Sequence, residues 1–242
     1  LRLSRGLGDV YKRQDILEII SKFQKPPLAI KLLFKFLAIS FSPKKKNLIK
    51  SEGERLSDSL ESMGTTFIKL GQFLATRPDI IGESLSKQLE NLQDKLPPFS
   101  LIQAKEIIKN DLGQETYDSI INLSEPVAAA SIAQVHKAQI NDNGTIKDVA
   151  IKILRPNIKK IFNDEIDAIM LFAFLVESFI KKTKRLKLVE VVFLLKEITN
   201  LEMDLRFEAA AANEYAENTK NDVGFRVPEI YWNFTSENVM TL

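Results

Sequence analysis

The chain has no cysteine, which excludes a disulfide framework, thiolate zinc sites and thiol catalysis. It has a single histidine, His136, so a histidine-rich metal centre or a Ser-His-Asp triad has too few ligands or bases to form. Glycine and proline number 9 each in 242 residues, too few to punctuate the many short strands of a β-sandwich or propeller. Helix is expected to dominate. No apolar run reaches the ~20 residues needed to span a bilayer. The composition, 45% hydrophobic and 27% charged, is instead that of a globular chain with enough apolar mass for a core.

Charge is balanced overall, but not along the chain. Residues 1–50 carry 12 Lys/Arg against 3 Asp/Glu, and the remainder carries 22 against 29. A basic arm on an acidic body points to an anionic partner surface. Gly6 to Gln14 resemble translated adapter sequence, so residues 1–14 are set apart as a non-native segment and 15–50 are read as a basic amphipathic arm. Within it, residues 28–41 are apolar except for Lys31, Lys35 and Ser40, and Lys44, Lys45 and Lys46 follow. Lys31 and Lys35 share one helical face. Two readings of residues 28–46 stand side by side: a helix on an anionic membrane surface, or a helix packed on the body with its lysines reaching to water.

Leu56, Leu60, Met63, Phe67, Leu70 and Leu74 recur at helical spacing, predicting one helix over Ser51–Thr76 with Lys69 and Gln72 together on the face away from that stripe. Leu85–Leu96 and Leu101–Leu112 read as helices separated by Pro97 and Pro98. The pattern then changes: residues 125–154 hold two strand-like runs around Asn143-Gly144, a strong tight-hairpin signal. Asp167–Ile180 is expected to be a buried helix, 188–218 one long helix, kinked or straight, and 227–242 two strands about residues 235–238.

Strand, small-residue turn, strand, hairpin, lysine-bearing strand, helix with an acid: this is the element order of a protein-kinase N-terminal lobe. Val149-Ala150-Ile151-Lys152 has the form of the V-A-I-K strand, whose lysine meets nucleotide phosphates and a helical glutamate. Alternation puts Ala150 and Lys152 on one face of that strand. The glycine positions of a kinase phosphate loop, G-x-G-x-x-G-x-V, are here Ala128, Ala130 and Ala133, with Val135 in the valine place. Alanine disfavours positive φ, and its Cβ obstructs the close backbone approach that glycine permits, so an ordinary nucleotide pose over this loop is not expected.

Four motifs in this order resemble the UbiB family of atypical kinase-like proteins, associated with ubiquinone biosynthesis. Lys69-Leu70-Gly71-Gln72 is similar to its K-x-G-Q signature, Ala128–Ala138 to its alanine-rich loop, Glu202-Met203-Asp204 to its E-x-D motif, and Leu89–Pro98 to its linker. The resemblance covers roughly residues 50–242. It implies an α+β fold: a kinase-like N-lobe over 125–242, with a small antiparallel sheet plus helices, preceded by a helical extension over 51–124. Lys152 and Glu208 would form the catalytic pair. Ala128, Ala129, Ala130, Ser131, Val135 and Ala150, with Lys152, would bind nucleotide. Lys69 and Gln72, with Glu202 and Asp204, would form a lid that bars protein substrates, Lys69 pairing with the two acids.

On an ideal helix Glu202 and Asp204 diverge by about 200°, so a cation touching both requires a distorted helix start or a bridging metal. Because burying an unpaired charge is costly, Lys69, Lys152, Glu202, Asp204 and Glu208 are expected to be enclosed together.

Kinase chemistry also needs a catalytic Asp loop and a metal-binding D-F-G after the hinge. No histidine and no D-F-G follows Lys152. The expectation is an N-terminal fragment, C-lobe absent, inactive on its own and with no metal ligands of its own. The resemblance implies an ATP-binding, ATP-hydrolysing parent protein with Mg2+, working in ubiquinone synthesis. The parent would be bacterial and cytoplasmic, peripheral to the inner membrane. Expected partners are a membrane surface or lipid precursor and other ubiquinone-biosynthesis proteins, and not nucleic acid. The alternative is a nucleotide-free pseudokinase scaffold that organises those enzymes. A redox enzyme is the weakest reading, since no flavin fingerprint, haem-ligand pattern or cysteine is present.

Overall fold

The computed structural model describes residues 51–90, 92, 96–179, 181–224 and 226–242. The segment set apart at 1–14 and the basic arm at 15–50 lie outside the described residues. The described residues divide into two compact units: those within 94–159 and 198–242 form one, and the rest form the other.

The first unit is built on an antiparallel sheet. Strand β3 (Ala133–Asp142) and strand β4 (Thr145–Leu154) are joined by Asn143 and Gly144, at φ 50° and 86°, the positive values that a two-residue hairpin turn requires. The short strands β1 (Ile120–Ile121) and β2 (Pro126–Ala129) both pair with β3, and β5 (Val239–Thr241) pairs with β4. Period-2 alternation decides what each face does. His136, Ala138, Ile140, Val149, Ile151, Ile153, Val239 and Thr241 are buried on one side. Against that side lies α5 (Leu101–Leu112), whose Ala104 and Ile108 are fully buried among Ile140, Ile151 and Ile153. Each such isoleucine contributes about 2 kcal/mol of burial.

Helix α5 begins at a capping box in which the Ser100 hydroxyl accepts from Gln103 N and Gln103 reaches back to Ser100 N. Its far end is tied to the last strand, where the Asp111 carboxylate accepts from Ser236 Oγ at 2.6 Å and from the Asn238 side chain and backbone. So α5, the short α6 (Gln114–Asp118) and β1 associate with the sheet.

The second unit is helical: α1 (Glu52–Met63), α2 (Thr65–Ala75), α3 (Pro78–Ile81), α4 (Glu83–Leu89), most of α7 (Ile158–Phe179) and the greater part of α8 (Leu188–Glu202). Gly71 on α2 is where neighbours come closest. A Cβ there would sit 2.7 Å from Leu92 and 2.8 Å from Leu60, so no larger residue fits without displacement. Lys196 pairs with Asp167 at 2.9 Å, linking α8 to α7. No helix among the described residues is long and apolar enough to cross a membrane.

Five expectations need correction. The helix over 51–76 is two helices, because Gly64 takes φ 104° and serves both as C-cap of α1 and as start of α2. The buried residues of α2 are Thr66, Phe67, Ile68 and Gly71, which leaves Lys69 and Gln72 half-buried rather than on an outer face. The helix expected at 85–96 stops at Leu89. The long helix over 188–218 breaks at Met203 and Asp204, where Asp204 adopts φ −125°, ψ 98° and caps α9 (Leu205–Asn218). Finally, 227–242 holds one strand, β5, preceded by a short 3-10 turn at Trp232–Phe234.

Candidate functional site

The open face of the sheet carries the candidate site. Cα register places Val135 opposite Lys152 and Lys152 opposite Met240, so these three side chains share a face. Ala150 lies on the same face, two residues from Lys152; its N–H donates to Leu242 O and its carbonyl accepts from Leu242 N, which fixes the strand edge.

Across this face stands α9. Its first turn is set by Asp204, whose Oδ1 accepts from Arg206 N at 3.1 Å. Both carboxylate oxygens also accept from the Arg206 guanidinium, at 2.9 and 2.7 Å. That guanidinium holds the Asp204 carboxyl below the usual carboxylate range, burial opposing it. Leu205 and Ala209, four apart, are fully buried, and Leu205 N donates to Glu237 O at 2.9 Å. With that side of α9 anchored, Glu208 points along the sheet.

The result is a fork. Lys152 Nζ donates to both Glu208 oxygens at 2.7 Å, across 56 residues of sequence. The side chains are 25% and 48% exposed, so the pair adds at most about 1 kcal/mol to stability. Its consequence is geometric: the amine is held at one point over the sheet face, beside Val135 and Ala150. Glu202, at the end of α8, is exposed, and Glu208 remains half-exposed. The enclosure expected for the charged set is therefore not found for these acids, because the face carrying Lys152 is the open one. The helix break at Met203 also removes the ideal-helix divergence of Glu202 and Asp204.

The alanine loop follows β2. Ala128 and Ala129 pair with Val135 and Gln134, after a shift in register beyond Pro126, and Ala130 N donates to Ala133 O at 2.8 Å to close the turn. Ser131 is fully buried. Among the described residues, the non-glycine ones with positive φ are Asn122, Asn143, Asn157 and Lys187, and none belongs to this loop. Alanine is therefore tolerated here because the turn avoids the left-handed region that glycine would have opened. Lys69 and Gln72 stand on α2 in the helical unit, and Glu202 and Asp204 in the sheet unit.

Two residues outside the sequence-derived set prove structurally central. His136 is fully buried; its Nδ1–H donates to Ser124 O at 2.8 Å and its Nε2 accepts from Gln134 Nε2 at 2.8 Å. Gln134 in turn bonds both backbone groups of Phe99. The second is Arg155, which bonds three backbone carbonyls. Its sequence signal was slight: an arginine between the V-A-I-K strand and a proline.

The ABC1 atypical kinase-like domain matches residues 91–242. "Probable protein kinase UbiB" of Marinobacter nauticus is 36% identical over 217 residues, 89% of this chain and 39% of that protein. The proteins of the same name from Vibrio cholerae and Tolumonas auensis are 38% identical over 193 residues and 33% over 238, covering 79% and 98% of this chain.

The chain belongs to the UbiB family of atypical kinase-like proteins.

It spans about two fifths of the length of the curated UbiB relatives it matches. For a UbiB-family chain the α+β reading holds: the small antiparallel sheet with its lysine strand and acid-bearing helix is a kinase-like N-lobe. The face around Lys152 fits a nucleotide in chemistry, with a held cation for phosphate and the small apolar surfaces of Val135 and Ala150 for a base. Among the described residues, no cluster of three or more His, Asp or Glu is placed to hold a metal ion.

Proposed function

We propose that this chain is the nucleotide-binding N-lobe and helical extension of a longer atypical kinase-like ATPase required for ubiquinone biosynthesis. The observation that carries the reading is the two-pronged contact of Lys152 with Glu208 on the open sheet face. A primary amine held by a carboxylate keeps its position, and so can meet a phosphate without reorganising. Lys152 would bind and orient the phosphates, with Glu208 fixing the amine. Val135 and Ala150 would pack the base. Ala128, Ala129, Ala130 and Ser131 would shape the phosphate side. Mg2+, when bound with ATP, screens the phosphate charge, and its protein ligands would come from the rest of the longer protein.

In this reading Lys69 and Gln72 close over the site, Lys69 pairing with Glu202 and Asp204, and the lid bars protein substrates. Because the chain has no native cysteine, the lid can be tested cleanly. A short bis-maleimide should join the two thiols of a Lys69→Cys, Glu202→Cys double variant within one chain, since an ion pair of two long side chains sets its backbones too far apart for a direct disulfide; failure to cross-link would remove the lid from the proposal. The nucleotide reading is tested by titrating the intact protein with Mg-ATP. Saturable binding that Lys152→Ala weakens at least tenfold supports it, while residues 1–242 alone should not hydrolyse ATP.

The alanine-for-glycine loop favours a second reading, a nucleotide-free scaffold that gathers ubiquinone-biosynthetic enzymes at the membrane. No Mg-ATP binding at millimolar concentration would favour it. Under either reading the protein works in the cytoplasm against the inner membrane, with a membrane surface or lipid precursor as partner.

A further inference from the structure

The alanines of this turn carry no polar side chain, so partners for their backbone must come from other residues. Arg155 is such a partner. Its Nε and Nη2 both donate to Ala130 O, at 3.0 and 2.8 Å, a two-pronged grip on one carbonyl. The same guanidinium donates from Nη1 to Pro97 O at 2.9 Å and from Nη2 to Leu96 O at 3.3 Å. In addition, Arg155 N donates to Ile132 O at 2.8 Å, so the loop is gripped on both sides of Ser131. One residue thus joins three pieces of chain: the linker before α5, the alanine loop, and the end of β4.

Arg155 lies three residues beyond Lys152 on one continuous stretch of backbone. The span between the Lys152 amine and the Ala130 carbonyl is therefore fixed by a rigid strand at one end and a planar, multidentate guanidinium at the other. Lysine cannot copy this. Its ammonium is a single point on a flexible stem, whereas the guanidinium offers donors in a fixed fork.

We propose that Arg155 is a positioning residue that locks the alanine loop in one conformation and thereby sets how a nucleotide's phosphates fit between that loop and Lys152. The nucleotide half rests on the reading given under Proposed function; the lock does not. Arg155 needs no contact with the nucleotide, because it acts through Ala130.

The two halves separate in one set of measurements on wild type, Arg155→Lys and Lys152→Ala. Hydrogen exchange of the 242-residue chain without nucleotide reads the lock. In Arg155→Lys, the Ala130 amide, protected by Ala133 O, should exchange at least tenfold faster, with the Ile151 and Ile153 amides of β4 unchanged. Equal exchange at Ala130, or acceleration throughout β4, would overturn the lock. Mg-ATP titration of the intact protein reads its use. Arg155→Lys should raise the Kd for Mg-ATP about tenfold. Wild-type binding that Lys152→Ala weakens and Arg155→Lys does not would overturn the inference and leave the nucleotide reading standing. A wild-type protein that binds no nucleotide would overturn both the nucleotide reading and this use of the lock.

Discussion

The two ends of strand β3 are turned by opposite means. At one end Asn143 and Gly144 take φ 50° and 86°, and the bonds that steady them are local: Gly144 N donates to Asn141 Oδ1 at 2.9 Å, and Asn143 Nδ2 to Asp142 Oδ1 at 3.1 Å. At the other end the alanine turn stays out of the left-handed region, and its supports come from far along the chain. Arg155 reaches back 25 residues to Ala130, and Gln134 reaches 35 to Phe99. His136 holds Ser124. A turn that needs positive φ carries its solution in its own residues. A turn that must present a fixed backbone from small side chains borrows its rigidity, and the lenders sit in strands and linkers where local sequence gives no sign of the debt.

The largest effect should come from removing one of those remote supports. His136→Ala strips two bonds from a fully buried site and leaves a cavity beside Gln134. The expected loss is about 3 kcal/mol in urea unfolding. A loss below ~1 kcal/mol would mean the alanine end does not depend on this network. Next is Gly144→Val at the self-sufficient end, where a β-branched residue is forced to positive φ; a loss of roughly 1–2 kcal/mol is expected by the same measurement. Smaller again is Ala130→Gly. A loop strained by alanine would be relieved by glycine, whereas a loop already at ease should lose about 0.5–1 kcal/mol through the added freedom of the unfolded chain. The sign of that change separates the two cases.

The smallest effect concerns pH. The Asp204 carboxyl titrates below its ordinary value because of Arg206, so its contribution is complete above about pH 4 and is lost as pH falls through the lowered folded value. Thermal melts between about pH 2.5 and 6 should therefore show a shallower acid decline for Asp204→Asn than for wild type, with the wild-type advantage full at the upper end of that range and shrinking towards the acid end.

Much of the sheet unit could be read directly. The proline pair before α5, the Asn-Gly hairpin and the strand alternation are local signals, and α5 spans the 101–112 read from sequence. The breaks at Gly64 and Met203 were harder, because apolar residues keep helical spacing across both. A lone glycine fits a helix or ends it, and Asp204 shows itself as a cap only when its contact with Arg206 is seen. The second strand expected within 227–242 is instead a 3-10 turn, closed by Phe234 N donating to Tyr231 O. At the candidate site, Lys152 and Glu208 could be linked by motif order, and the structure brings them to 2.7 Å. Arg155 could not be found that way, since what it holds is backbone, and backbone carbonyls leave no trace in composition.

The central claim is that the amine held by Glu208 is where a nucleotide's phosphates are received. Its most direct test is the Mg-ATP affinity of the intact protein with and without Lys152→Ala, measured alongside urea unfolding. The account predicts binding weakened at least tenfold while stability changes by no more than about 1 kcal/mol, as the exposure of the pair requires. Equal affinity in a stably folded variant would contradict it.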